Sequence, residues 1–100
     1  MKIKLSTFIL TLLSVTTLYP AEYNGKNIDG IQFDCSAYSY DTGNWYYVTV
    51  EFEYDEATIY FDNGGYITLD LDNEVIDDPS SIEAYDYDKG VYWELEVDGL

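Results

Sequence analysis

The side chains able to do chemistry in this chain are almost all carboxylates and phenols. Its 100 residues include 20 Asp+Glu, 12 Tyr, 2 Trp and 1 Cys; His and Arg are absent. A nucleophilic role for Cys35 would need an activating base, and there is no imidazole to supply one. A His-based triad and a zinc centre of the Cys/His kind are excluded on the same ground. Glycoside hydrolysis asks only for one protonated and one ionised carboxylate. With so many acids, pairs such as Glu51 and Glu94, both on outward positions of their strands, can approach one another without any catalytic reason. The acids therefore read as a solvated face, and the chain as a protein that is not an enzyme.

Hard cations need only oxygen ligands, so calcium is the metal these residue types allow. The densest acidic stretch runs Asp70-Leu71-Asp72-Asn73-Glu74 and on to Asp77-Asp78. It is not an EF-hand: Val75 stands where the loop needs Gly, and Ser81 where it needs Glu. What remains is an irregular calcium site over Asp70, Asp72, Glu74, Asp77 and Asp78; the other reading is an acidic turn without a cofactor.

The aromatic residues are the more distinctive feature. Tyr38, Tyr40, Trp45 and Tyr47 fall at alternate positions of two neighbouring segments, and Tyr85, Tyr87 and Tyr92 repeat the arrangement near the end of the chain. Cross-strand ladders of this kind stabilise sheets. Exposed rings also mark binding surfaces, and phenols suit an interface that is apolar in body and wet at the tip. Surrounded by acids, they suit cationic partners, a basic protein or peptide, through steering and cation–π contact. Stacking on carbohydrate is the alternative use of the same rings.

Period-2 alternation places these rings on strands. Tyr46, Val48, Val50, Phe52 and Tyr54 alternate with Trp45, Tyr47, Thr49, Glu51 and Glu53. Ile67, Leu69 and Leu71 alternate with Thr68 and Asp70, and Val91, Trp93, Leu95 and Val97 alternate with Tyr92, Glu94 and Glu96. The chain also repeats itself: Ala37-Tyr38-Ser39-Tyr40-Asp41-Thr42-Gly43 recurs 47 residues later as Ala84-Tyr85-Asp86-Tyr87-Asp88-Lys89-Gly90. This predicts a duplicated hairpin over 31–54 and 81–98. Two-residue turns at Thr42-Gly43 and Lys89-Gly90 would set Cys35 opposite Val50, Phe33 opposite Phe52 and Ala84 opposite Leu95. A link at Asp55-Glu56 and a loop at Asn63-Gly64-Gly65 would set Phe52 opposite Ile59 and Phe61 opposite Ile67. The fold class is all-β, an antiparallel meander of about six strands. With no helix to cover its apolar face, it must curl into a small barrel or a two-layer sandwich.

Residues 1–21 read as an address. Lys2 and Lys4 precede an uncharged apolar run from Leu5 to Leu18, and Tyr19-Pro20-Ala21 follows. That is the layout of a signal peptide, with an apolar run short of the ~20 residues a bilayer span needs. The expectation is an exported protein, periplasmic or extracellular, with a single β-domain over 22–100 and no stable membrane insertion once the leader is removed. All 20 acids lie at or after Glu22, where only Lys26 and Lys89 are basic, so this domain carries −18. Such a charge repels phosphate backbones and excludes nucleic acid as a partner.

The leader, the acidic and aromatic meander and the phrase Tyr85-Asp86-Tyr87-Asp88-Lys89-Gly90-Val91-Tyr92-Trp93-Glu94-Leu95 resemble small secreted bacterial β-proteins. A fainter likeness is to the periplasmic inhibitors of C-type lysozyme. It is carried by Cys35 on an early strand and by Ser80-Ser81 ahead of Tyr85 near the last hairpin. The likeness implies a small exported β-barrel that inhibits a basic enzyme. Ile82, Glu83 and Ala84 stand where that family's inhibitory segment has Gly and Lys, and its second Cys is missing, so no inhibitory residue carries over.

Overall fold

The computed structural model describes residues 18–100. Most of the leader predicted from the sequence lies outside the described residues. Among the described residues nine strands form: β1 (Glu22–Tyr23), β2 (Lys26–Asn27), β3 (Gln32–Ser39), β4 (Trp45–Glu53), β5 (Glu56–Tyr60), β6 (Tyr66–Asp70), β7 (Val75–Ile76), β8 (Ile82–Asp86) and β9 (Val91–Val97). Six of them close into an antiparallel barrel in the order β3-β4-β5-β6-β8-β9, with β9 returning to β3. Of barrel and sandwich, the chain takes the barrel.

Because the barrel strands alternate in direction, the loops β3–β4, β5–β6 and β8–β9 emerge at one end, the mouth. The other end is the floor. There β1 pairs with β2 and, in parallel, with β7 to make a small second sheet. Asp29 ties this floor to the barrel: its Oδ1 accepts from the N–H of Ala21 at 2.7 Å and of Tyr54 at 3.0 Å. Ala21 is fully buried, and its carbonyl accepts from the Ile28 N–H at 2.9 Å.

Alternation fills the barrel as the sequence pattern predicts. Val48, Val50 and Phe52 of β4, Ile59 of β5, Leu69 of β6 and Trp93, Leu95 and Val97 of β9 point inward and are buried. Cys35, Ala37, Ala57 and Ala84 are buried among them. Six strands leave a narrow interior, and these small side chains let the large ones meet across it. Phe33, Phe61 and Ile67, expected in the core, are only half-buried, and Ala21, Ile28 and Ile76 of the floor join the core instead.

The expected register is corrected by two residues in every hairpin. Cys35 pairs with Val48 and Phe33 with Val50, not with Val50 and Phe52. Phe52 pairs with Ala57, Ile59 with Ile67, and Ala84 with Trp93. An even shift leaves each side chain on its expected face. The cause lies in the turns. In the repeated hairpins Gly closes a four-residue loop instead of sitting at its centre. The Gly43 N–H donates to the Ser39 carbonyl at 2.8 Å, and the Gly90 N–H to that of Asp86 at 2.7 Å. Both glycines have positive φ, 72° and 68°, where a side chain would be strained. In each loop the inward residue before it caps the freed backbone. Ser39 Oγ accepts from Asp41 and Thr42, both at 3.2 Å, and Asp86 Oδ1 accepts from Asp88 at 2.9 Å and Lys89 at 3.3 Å. The 47-residue repeat is therefore a repeated capped loop.

This capping makes a prediction. Asp86→Ala leaves two loop N–H groups without their acceptor and is expected to cost about 1–3 kcal/mol in urea unfolding. Asp86→Asn keeps an oxygen in the same place and should recover more than half of that loss.

Candidate functional site

The sequence left the two aromatic ladders in separate hairpins. The pairing of β3 with β9 joins them into one surface. On the outer face Trp45 lies across from Tyr38, Tyr38 from Glu94, and Glu94 from Glu83. In the next row the Tyr40 N–H donates to the Tyr92 carbonyl at 3.1 Å, and Tyr92 lies across from Tyr85. Tyr47 sits beyond Trp45 on β4, and Tyr87 follows β8. All seven predicted binding residues thus share one face, spread over four adjacent strands.

Their packing repeats with the hairpin. Tyr38 meets Tyr40 edge-on at 5.0 Å and Trp45 at 5.2 Å. Tyr85 meets Tyr87 edge-on at 4.6 Å and Tyr92 at 4.6 Å. In each copy one tyrosine is half-buried under two exposed rings, which fixes the platform without hiding it. Tyr47 is 82 % exposed, Tyr87 73 % and Trp45 50 %.

Where the copies meet, Tyr40, Tyr92 and Glu83 enclose a shallow cleft of about 220 Å³. Glu94 borders it: its Oε1 accepts from the Tyr40 hydroxyl at 3.1 Å, and its Oε2 from the Ser81 hydroxyl at 3.2 Å. The Glu94 hydrogen bond, with its charge, raises the Tyr40 pKa above the ordinary phenol value. Glu83 and Glu94 are a directly opposed pair of like charges, an unfavourable arrangement for a sheet on its own. Both glutamates were missed as site residues in the sequence, because only closure beside β3 sets them among the rings.

The remaining candidates separate. Glu51 accepts from Gln32 at 3.1 Å, whereas Glu94 lies opposite Tyr38. Six residues of strand divide them, roughly 20 Å at about 3.3 Å per residue, so they form no catalytic pair. The proposed calcium ligands do not converge: no group of three or more acidic, Cys or His side chains able to hold a metal occurs among the described residues. Asp70 pairs with Glu56 and Tyr85 inside the barrel wall, and Asp78 Oδ1 is taken up by the Ser80 N–H and hydroxyl at 3.0 and 2.7 Å. Cys35 is a buried free thiol. Burial pushes it up to about 12; a backbone contact from Glu96 opposes the rise, and the charges of Asp98 and Glu96 add to it.

A second concavity opens at the mouth, encloses about 350 Å³ and is walled by Tyr46, Phe61 and Trp93. These rings touch one another, with centroids 6.0, 5.8 and 6.4 Å apart. It opens because β6 meets β8 through a single pair, Asp70 with Tyr85, and the strands stay unpaired from there to the loops. No family model, curated protein or solved structure matches the chain.

Two outcomes follow. Cys35 should not react with a disulfide reagent in the folded protein at about pH 8, where an exposed thiol of ordinary pKa near 8.5 does, and should react fully in denaturant. The raised Tyr40 pKa favours the neutral phenol in the folded state. Its contribution to stability is present below the ordinary phenol value of about 10 and lost as pH rises through the raised one. Glu94→Gln should bring the Tyr40 titration, followed by ultraviolet absorbance against Tyr40→Phe, back toward that ordinary value.

Proposed function

We propose that this protein is a non-catalytic binding module, or inhibitor, that captures a basic protein or peptide on its acidic aromatic face. The observation that carries the reading is the cleft of Tyr40, Tyr92 and Glu83, beside which Glu94 opposes Glu83 and holds the Tyr40 hydroxyl. A lysine or arginine side chain set there gains two carboxylates and two ring faces, and it relieves the repulsion between the acids. Neither described lysine serves: Lys26 lies on β2 in the floor and Lys89 at the mouth. The surrounding charge of −18 steers cations toward this face from a distance. An exported chain, as the leader implies, would meet such partners in the periplasm or outside the cell.

The same rings support the alternative reading, a carbohydrate-binding surface domain that uses Trp45 and Tyr47, both exposed on one strand. The paired glutamates favour the first reading, because a cation relieves the repulsion between two opposed charges and a neutral sugar does not.

The test is calorimetric titration with an oligolysine peptide and with a basic lysozyme. Raising salt from about 0.1 M to about 1 M shortens the Debye length from about 10 Å to about 3 Å and should weaken binding strongly. Tyr40→Ala with Tyr92→Ala, and separately Glu83→Gln with Glu94→Gln, should each cost about tenfold or more in affinity, or about 1.4 kcal/mol. Trp45→Ala reports on the edge of the platform. Binding that ignores both salt and the double variants overturns the proposal, and saturable binding of oligosaccharides that depends on Trp45 and Tyr47 replaces it with the alternative.

A further inference from the structure

The cavity at the mouth is distinct from the outer face and faces into the barrel. Residues at equivalent places in the two copies of the repeat meet across it. Ser39 and Asp86 lie 47 positions apart, as do Tyr46 and Trp93, and all four line the cavity. Phe61 completes a three-ring wall. The copies differ where it matters chemically: the first places a neutral hydroxyl in the cavity, the second a carboxylate. Asp86 is buried, with 4 % of its surface exposed. Its Oδ1 is occupied by the loop N–H groups of Asp88 and Lys89, while no described donor reaches its Oδ2. Asp41 adds a second acid to the rim.

Trp93 supplies an independent observation. It is 7 % exposed, and its indole Nε1 is the single buried side-chain polar atom among the described residues that lacks a hydrogen-bond partner. A buried donor left unpaired costs stability. The Trp93 ring lines the cavity while its Nε1 is shut off from open space, so a ligand entering the mouth meets the ring and not the N–H.

We infer that the barrel mouth is a binding site for a small organic cation, an alkylated ammonium. The three rings provide the aromatic cage that quaternary ammonium groups favour. Asp86 and Asp41 provide the counter-charge. A volume of about 350 Å³ fits a ligand of a few carbons and excludes a folded peptide. Lys89 on the rim opposes the same cation, and the two carboxylates of Asp86 and Asp41 outnumber it.

The protein contains two tryptophans, one at each site: Trp93 in the cavity and Trp45 on the outer face. Their indole N–H resonances therefore report the two sites separately. The experiment titrates the folded, ¹⁵N-labelled protein with choline and, in parallel, with 3,3-dimethylbutan-1-ol, its neutral isostere. The Trp93 signal should shift saturably with choline while that of Trp45 stays in place, and the neutral isostere should bind about tenfold more weakly or worse, the scale of a desolvated cation–π contact with its counter-ion. Asp86→Asn keeps the loop acceptor and should weaken choline severalfold, while Phe61→Leu keeps the volume, removes one ring and should do the same. If either variant proves unfolded by circular dichroism, Asp41→Asn carries the charge test and the isostere comparison stands without it. Equal affinity for choline and the isostere, a linear response, or a shift of Trp45 in place of Trp93 overturns the inference.

Discussion

The pairing of β9 with β3 is the constraint on which the rest of this molecule depends. Five residue pairs, from Cys35–Val97 to Ser39–Trp93, join the two copies of the repeated hairpin into one wall. Without them the meander would end in two exposed edges, which invite pairing with other chains. With them the apolar face turns fully inward, although no helix among the described residues covers it. The same seam brings Tyr40 beside Tyr92 and Glu94 beside Tyr38. One set of backbone hydrogen bonds thus creates both the core and the outer aromatic face.

That closure holds against strong self-repulsion. With −18 on 22–100, acids must face acids somewhere, and they do so on adjacent strands: Glu53 opposes Glu56, Glu56 opposes Asp70, and Glu83 opposes Glu94. Partial burial and then the charges of Asp70, Asp55 and Glu53 raise the Glu56 pKa. A raised carboxyl favours the folded state below its ordinary pKa of about 4.3 and gives that contribution up as pH rises through the raised value. At neutral pH the acidic surface is therefore held by the packing beneath it, by Phe52, Ile59, Leu69 and Leu95.

The inward and outward phase of each strand was legible, because it needs only the alternation of side chains. The six barrel strands and the repeat were legible for the same reason, while the three short strands of the floor were not. Register was not, because it depends on where in the loop the glycine sits. Thr42-Gly43 and Lys89-Gly90 look like central turn pairs, but Ser39 and Asp86 reach back to cap the following N–H groups and draw the turn one residue earlier. The half-buried state of Ile67 and Phe61 was hidden too, since both read as core positions. It follows from the single pair between β6 and β8, a tertiary fact with no local signature. The floor was missed because Ala21 sits at the end of a segment read as leader and Ile28 and Ile76 belong to no long alternating run.

The repeat is more informative where its copies differ than where they agree. Tyr38 and Tyr85 agree, and both serve as the half-buried ring that holds two exposed neighbours. Gly43 and Gly90 agree because both loops close through a left-handed residue. Ser39 and Asp86 perform the same capping, for which a hydroxyl already suffices, so the second oxygen of Asp86 is surplus to the loop. Tyr46 and Trp93 both fill the upper barrel, yet the indole brings a buried donor with no partner, which a phenol tipped toward solvent would avoid; the Tyr46 hydroxyl in fact meets that of Thr42 at 3.0 Å. Each departure adds something the fold does not require: a carboxylate oxygen beyond the one the loop uses and a donor buried without an acceptor. Both fall on one cavity. A structure that needed only to be closed had a cheaper solution at each position already present in its other half.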